Sequence, residues 1–447
     1  MGYFGAEYIV PKYFHPPEGL LSELPDDSRG AKTSELIRFM RSGGDYIRPT
    51  KSGYYLAGKF AQNRKDWESA DNYISKVLMK DTEEKASDND YQDNLKSHSM
   101  VLAMSAGNYE ESIKLAYDVF KKDPENILAM LFVTLDYLKK GQYPEVKETL
   151  SKVQENSIAT FIIPIIEFWA DTTLVDGSIN PKISTDKLLP TNLYVYHALL
   201  GGIFTDQKQS VEPYALKAFN VAELDARDAE KMADLFYIYG QKEISIGLLT
   251  ILKERNFLTP RTEQKLNKLN NNEPIDSLII LPKIQTPKQG AAIVFTDMAE
   301  ILIREYSDDS ANVFANMALY LDPDLTRPHL IISDIYARNS RLTGAIDQLK
   351  NVLPADTEYI IAQRQISELY NQLDEDEKAI AILNSIYEKN NDLDALNQIG
   401  DIHRYNEDYD KAVKTYTELL NSLKTDSGTV IIKHANPCGV SENKSPL

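Results

Sequence analysis

Apolar and polar residues along this chain follow two nested periods. Within short segments such as "SANVFANMALYL" and "DEKAIAILNSIYEK", apolar positions return at the spacing of one helical face. The segments themselves also return. Ala311, Ala345, Ala379 and Ala412 stand 34, 34 and 33 residues apart. Twelve residues before each alanine the side chain is small: Ala299, Ser333, Ser367 and Gly400. The residue before that is aliphatic (Met298, Ile332, Ile366, Ile399), and the one three beyond it is large (Leu302, Tyr336, Tyr370, His403). Four residues after each alanine come Ala315, Leu349, Leu383 and Tyr416.

This pattern predicts two antiparallel helices per unit. Small residues on both helices let their backbones approach, and the large ones fill the space between successive units. Asp322-Pro323 ends the first of these units, because proline cannot continue a helix. The period and the agreement of several columns at once resemble the tetratricopeptide (TPR) repeat. The resemblance implies an all-α fold, an α-solenoid of stacked helical hairpins forming a right-handed superhelix. In the first half the same signal is fainter, with Gly107 and Gly141 again 34 residues apart and Gly58 twelve residues before Ala70. Between 158 and 289 the repeat drifts. Helical patterns persist in "LYVYHALLGGIF" and "DLFYIYGQKEISIGLLTIL", while Pro- and Asn-rich stretches interrupt them. "IATFIIPIIEFWA" is too short to span a bilayer and reads as a buried helix; Gly201-Gly202 reads as a close helix contact.

The organisation read from these patterns is an N-terminal arm or cap at 1–50, with one helix at "TSELIRFMRS", then TPR-like repeats at 51–157. Degenerate helical repeats follow at 158–289, TPR repeats at 290–425 and a separate tail at 426–447. The stretch "NKLNNNEPIDSLIILPKIQTPKQG" marks the break between two solenoid segments. Together, "SGYYLAGKFAQNRKDWESA", "QGAAIVFTDMAEIL" and "MALYLDPDL" resemble a family of long TPR proteins from alphaproteobacteria, over residues 52–425. That resemblance implies a scaffold that binds a partner protein or peptide on its concave surface, which the first helices line. Projecting the 34-residue frame onto that surface gives Arg304, Asp334, Arg338, Arg364, Glu368, Asn371, Asn397, Asp401 and Arg404. Their mixed signs suit an extended peptide carrying both charges. The unit at Ala412 has no following repeat, so Val413, Tyr416 and Leu420 are expected to form an open apolar face, available for self-association.

Composition narrows the function further. A formal net charge of −18 and no Lys/Arg-rich run argue against a nucleic-acid binder. One cysteine, Cys438, excludes an intrachain disulfide and any Cys-based metal site. The six histidines, among them His403 in the large-residue column, show no metal-ligand spacing. There is no Gly-rich phosphate loop, and "DTEEKASDNDYQD" lacks the order of a calcium loop, so no cofactor is expected. The first twenty residues carry no signal-peptide pattern. The expected compartment is therefore the cytoplasm, with the periplasm or a membrane surface as the alternative if a longer N-terminus carries a signal.

The tail departs from everything before it. "VIIKHANPCGV" resembles the Lys-His-x-Asn-Pro segment of the AICAR transformylase domain of the bifunctional purine-biosynthesis enzyme. That resemblance would place active-site roles on Lys433 and His434, with proton transfer by the histidine and Asn436-Pro437 as the adjacent turn. Twenty residues cannot form the nucleotide and folate pockets such chemistry requires. The tail therefore reads as a lone strand without sheet partners, a chimeric fragment joined to a repeat protein, and the chain as non-enzymatic. The rival readings are a transformylase fragment and a cell-envelope assembly factor.

Overall fold

A computed structural model describes residues 50–84, 89–152, 158–422, 428–433 and 436–442. The chain divides into two units at Tyr54/Tyr55. Most of the first, including the segments read as an arm and as a helix at 33–42, lies outside the described residues.

The described part of the chain is all-α up to its tail. Twenty helices follow in order: α1 (Lys51–Asn63), α2 (Trp67–Glu84), α3 (Asn89–Ser105), α4 (Tyr109–Lys122), α5 (Ile127–Lys140), α6 (Tyr143–Leu150), α7 (Ile158–Asp171), α8 (Asn192–Phe204), α9 (Lys208–Ala218) and α10 (Ala226–Ile238). Then come α11 (Lys242–Glu254), α12 (Pro260–Asn270), α13 (Pro287–Arg304), α14 (Asp308–Leu321), α15 (Thr326–Arg338), α16 (Leu342–Leu349), α17 (Tyr359–Gln372), α18 (Asp376–Asn390), α19 (Leu393–Tyr405) and α20 (Tyr409–Ser422). Consecutive helices pack as TPR-like hairpins: α3/α4, α5/α6, α8/α9, α10/α11, α13/α14, α15/α16, α17/α18 and α19/α20.

The small-residue columns do what their chemistry predicts. Ala311, Ala345, Ala379 and Ala412 are all fully buried. Ser333 and Ser367 each donate a hydroxyl to the carbonyl twelve residues on, Ala345 (3.0 Å) and Ala379 (3.1 Å), tying first helix to second. At Gly400 an added Cβ would meet the Tyr416 ring at 2.6 Å, and at Gly58 it would meet Ile74 at 2.7 Å. In both units the glycine makes room for the residue four beyond the buried alanine. Tyr416 is therefore buried inside its own hairpin and is not part of an open end face, as the sequence had suggested; Val413 and Leu420 are half-buried.

Each hairpin turn uses one residue at positive φ. These are Gly107, Gly141, Asp206, Gly240, Tyr306, Ser340, Asp374 and Glu407, with φ between 56° and 78°. Asp206 and Gly240 stand 34 residues apart, so the frame survives in α8–α11 although the side-chain columns have drifted. Besides those hairpins and the α1/α2 pair, which meets at Gly58 and Ile74, lie two unpaired helices. One is α7, whose Ile162, Ile165, Ile166 and Trp169 are fully buried. The other is α12, where the ammonium of fully buried Lys265 lies 2.7 Å from Asp234 on α10. Gly201 packs on Phe168 and Gly202 on Tyr239, the close contact their sequence predicted.

After α12 the chain passes through a short 3-10 turn (Asp276–Leu278) and then doubles back. Helix α14 packs on the first helices α3 and α5, and α13 packs on α5, α7 and α8. Every residue from Ala311 to Leu321 is buried. Buried polar groups fix the register of this seam. Asn312 donates to the Ser105 carbonyl (2.9 Å) and Tyr109 donates to Asn316 (3.0 Å). Asp136 on α5 accepts from Tyr117 (2.7 Å), from Lys140 (2.6 Å) and, across the seam, from Tyr320 (3.2 Å). At its edge Arg341 pairs with Asp66 (3.0 Å), beside a Trp67–Tyr336 ring contact of 5.5 Å. Gly290 on α13 lies where a Cβ would meet the Trp169 ring at 2.2 Å.

The tail is not a lone strand. β1 (Gly428–Lys433) pairs antiparallel with β2 (Asn436–Glu442), and both lie against α20. Lys433 stands opposite Asn436 and Ile432 opposite Pro437, so Asn436 and Pro437 are strand residues and not the turn read from the sequence. The register shifts between Ile431 and Ile432, beside Pro437, and such an irregularity tolerates a residue that has no N–H.

Candidate functional site

The first helices α13, α15, α17 and α19 follow one another through the second solenoid segment. Immediately after the small-residue column each carries an acid: Glu300, Asp334, Glu368 and Asp401. Arg327 at the start of α15 pairs back to Glu300 and so joins two neighbouring units. Most of the sequence-predicted residues occupy this face, in pairs. Arg338 bridges Asp334 (3.1 Å) and Asp308 (3.3 Å). Arg364 reaches Asp392 (3.5 Å) and Asp394 at the head of α19. Asn371 donates to Asp376 (2.6 Å), and Asn397 donates to Asp401 (3.2 Å). Asp401 also pairs with Arg404 (3.3 Å) and accepts from Tyr416 (2.6 Å). Burial, and then that hydrogen bond, pushes the Tyr416 hydroxyl up to about 12. Glu368 is exposed and forms no ion pair among the described residues. Two large apolar side chains stand free near these charges, Ile361 on α17 (45% exposed) and Tyr405 on α19 (80%).

Arg304 does not join the others. It ends α13 and turns to Asp225 and Asp228 (3.9 Å) at the start of α10. It thereby borders a pocket of about 70 Å³ that sequence reasoning missed, formed where α8, α10 and α13 converge. Asn192, Leu193 and Tyr196 line it from α8, Asp228, Lys231 and Met232 from α10, and Asp297, Glu300 and Ile301 from α13. One signal for it was present in the sequence: Asp297 and Glu300 interrupt the apolar run "AAIVFTDMAEILI".

A buried polar chain backs this pocket. The Trp169 indole N–H donates to Nδ1 of His197 (3.1 Å), which places the histidine's own proton on Nε2. Nε2 lies 3.2 Å from Oδ2 of Asp297, and both atoms are buried against each other. The Lys231 ammonium hangs among Asp297 (3.5 Å), Glu300 (3.6 Å) and Asp228 (4.0 Å), 5.4 Å from the Tyr196 ring. Burial drives the Asp297 carboxyl up, but Lys231 and then His197 outweigh it and hold the group below the usual carboxylate range. Burial drives Lys231 down, and the surrounding acids with Tyr196 more than reverse this. At Asp228 burial wins and its carboxyl is raised.

Of the tail residues tied to formyl transfer, Lys433 belongs to β1, and His434 lies outside the described residues. Among the described residues no group of His, Cys, Asp and Glu is arranged to hold a metal ion. No described helix is long and apolar enough to cross a membrane.

No family model matches the chain. No curated protein matches it either. It is similar to solved repeat structures. Yeast Tom70 is 14% identical over 84% of this chain and 92% of that one, with a TM-score of 0.29. The TPR domain of P58(IPK) is 14% identical over 83% and 92%, with a TM-score of 0.23. MamA is 17% identical over 42% and 93%, with a TM-score of 0.27.

Proposed function

We propose that the chain is a non-enzymatic scaffold. It holds a partner protein by an extended segment laid along the first-helix face of α15, α17 and α19. One contrast carries this reading. The corresponding face of the N-terminal repeats, on α3 and α5, is packed against by the chain's own α14. On the later repeats the face keeps Ile361 and Tyr405 exposed among charges of both signs. Paired surface charges of this kind contribute little to stability but define which charge pattern a partner must bring. The two apolar side chains supply contact area that a peptide can bury.

The test is selection of random extended peptides on the protein, followed by charge reversal. Peptides bound by the wild type should lose at least about tenfold in affinity to the Arg364→Glu/Arg404→Glu variant, since each reversal sets like charges together. They should be unaffected by Lys389→Glu/Lys414→Glu on the second helices. Equal loss in both variants, or no selected peptide at all, would contradict the reading.

A further inference from the structure

We propose that a second cavity, in the seam where α14 meets the N-terminal repeats, binds a small uncharged apolar molecule, an aromatic ring or a branched hydrocarbon, and that the guest strengthens the seam. The cavity measures about 130 Å³ and opens between α1, α2, α3 and α5 on one side and α14 on the other. An apolar cavity of about 150 Å³ stays dry and takes up benzene, so the space suits a guest of that size. Trp67, Leu102, Val313 and Phe314 form the floor, and none of them is more than 6% exposed. Gln62, Asp309 and Ser310 stand at the mouth.

The polar groups around this space are engaged by the chain itself. The Ser105 hydroxyl donates to the Val101 carbonyl (2.9 Å). At the mouth the Gln62 side-chain carbonyl accepts from Lys59 (3.2 Å), and Asp309 pairs with Lys65 (2.8 Å). A water on the floor would meet ring and aliphatic carbon where it needs about two to four polar partners. Replacing it with carbon is therefore favourable. A charged guest would give up its hydration for a floor that carries no counter-ion, which selects for uncharged ones. Trp67 and Leu102 belong to the N-terminal repeats, whereas Val313 and Phe314 belong to α14. A guest that touches both sides stabilises the closed seam over any arrangement in which α14 has moved off. Nothing in this site depends on the peptide face of α15, α17 and α19.

The two tryptophans of the chain supply the readout, since Trp67 lies on the floor and Trp169 packs elsewhere, under Gly290. In the full chain labelled with 5-fluorotryptophan, benzene at millimolar concentration should shift the Trp67 fluorine signal in a saturable way and leave that of Trp169 in place. Benzoate, the same ring with a charge, should not shift it. Val101→Phe, which fills the space from the half-buried wall of α3, should weaken benzene by at least about tenfold while the Trp169 signal keeps its wild-type position. Saturating benzene should also slow amide exchange on α3 and α14 together. No Trp67 shift with benzene, or an equal shift with benzoate, would overturn the proposal on the wild-type chain alone. Undiminished binding in a folded Val101→Phe variant would overturn it too, and slowing confined to one of the two helices would overturn the strengthening of the seam.

Discussion

Tyr306 illustrates how a single residue can work against its own repeat. The hairpin turn demands a left-handed backbone, and Tyr306 adopts φ 57° with its side chain 89% exposed. Gly107, Gly141 and Gly240 meet the same demand without a Cβ clash. Tyr306→Gly should therefore raise stability by about 0.5–1 kcal/mol, the relief of left-handed strain less the added entropy of the unfolded chain. A lower midpoint in chemical denaturation would show that the tyrosine makes a contact worth keeping. The buried alanine and small-residue columns were legible in the sequence because each repeats one packing task. The turn residues of the later units were not, since tyrosine, serine and glutamate carry no sign of positive φ and aspartate only a weak one. Nor was Lys265, which looks like any surface lysine until Asp234, far away in sequence, is placed beside it.

Among the elements, the hairpins were legible and their neighbours less so. Helices about two to five turns long with an apolar stripe announce themselves, and the step of 34 orders them. The return of α14 onto α3 and α5 had no such signal. It depends on polar residues, Asn312, Asn316 and Asp136, which find partners only across the seam and read locally as helix-surface residues. The end of the array holds a second departure, because the strand pair β1/β2 lies against α20, the last second helix, where a further unit would otherwise pack. Removing residues 423–447 should leave the far-ultraviolet helical signal nearly unchanged. It should speed amide exchange along α20, because the backbone it loses contact with is the cover of a terminal helix. Unaltered exchange in α20 would mean that this cover contributes nothing there.

Across the whole molecule, one array closes on the other. The N-terminal first helices spend their inner face on α14, which commits that surface to stability. The later first helices α15, α17 and α19 keep theirs. The division between an occupied face and a free one is the central claim, and hydrogen–deuterium exchange on the full chain with a saturating selected peptide tests it most directly. The account predicts slowed exchange on α15, α17 and α19 and no change on α3, α5 and α14. Protection appearing instead on α3 and α5, with exchange on α14 accelerated, would contradict it by showing that the partner displaces the chain's own helix from the face assigned here to the fold.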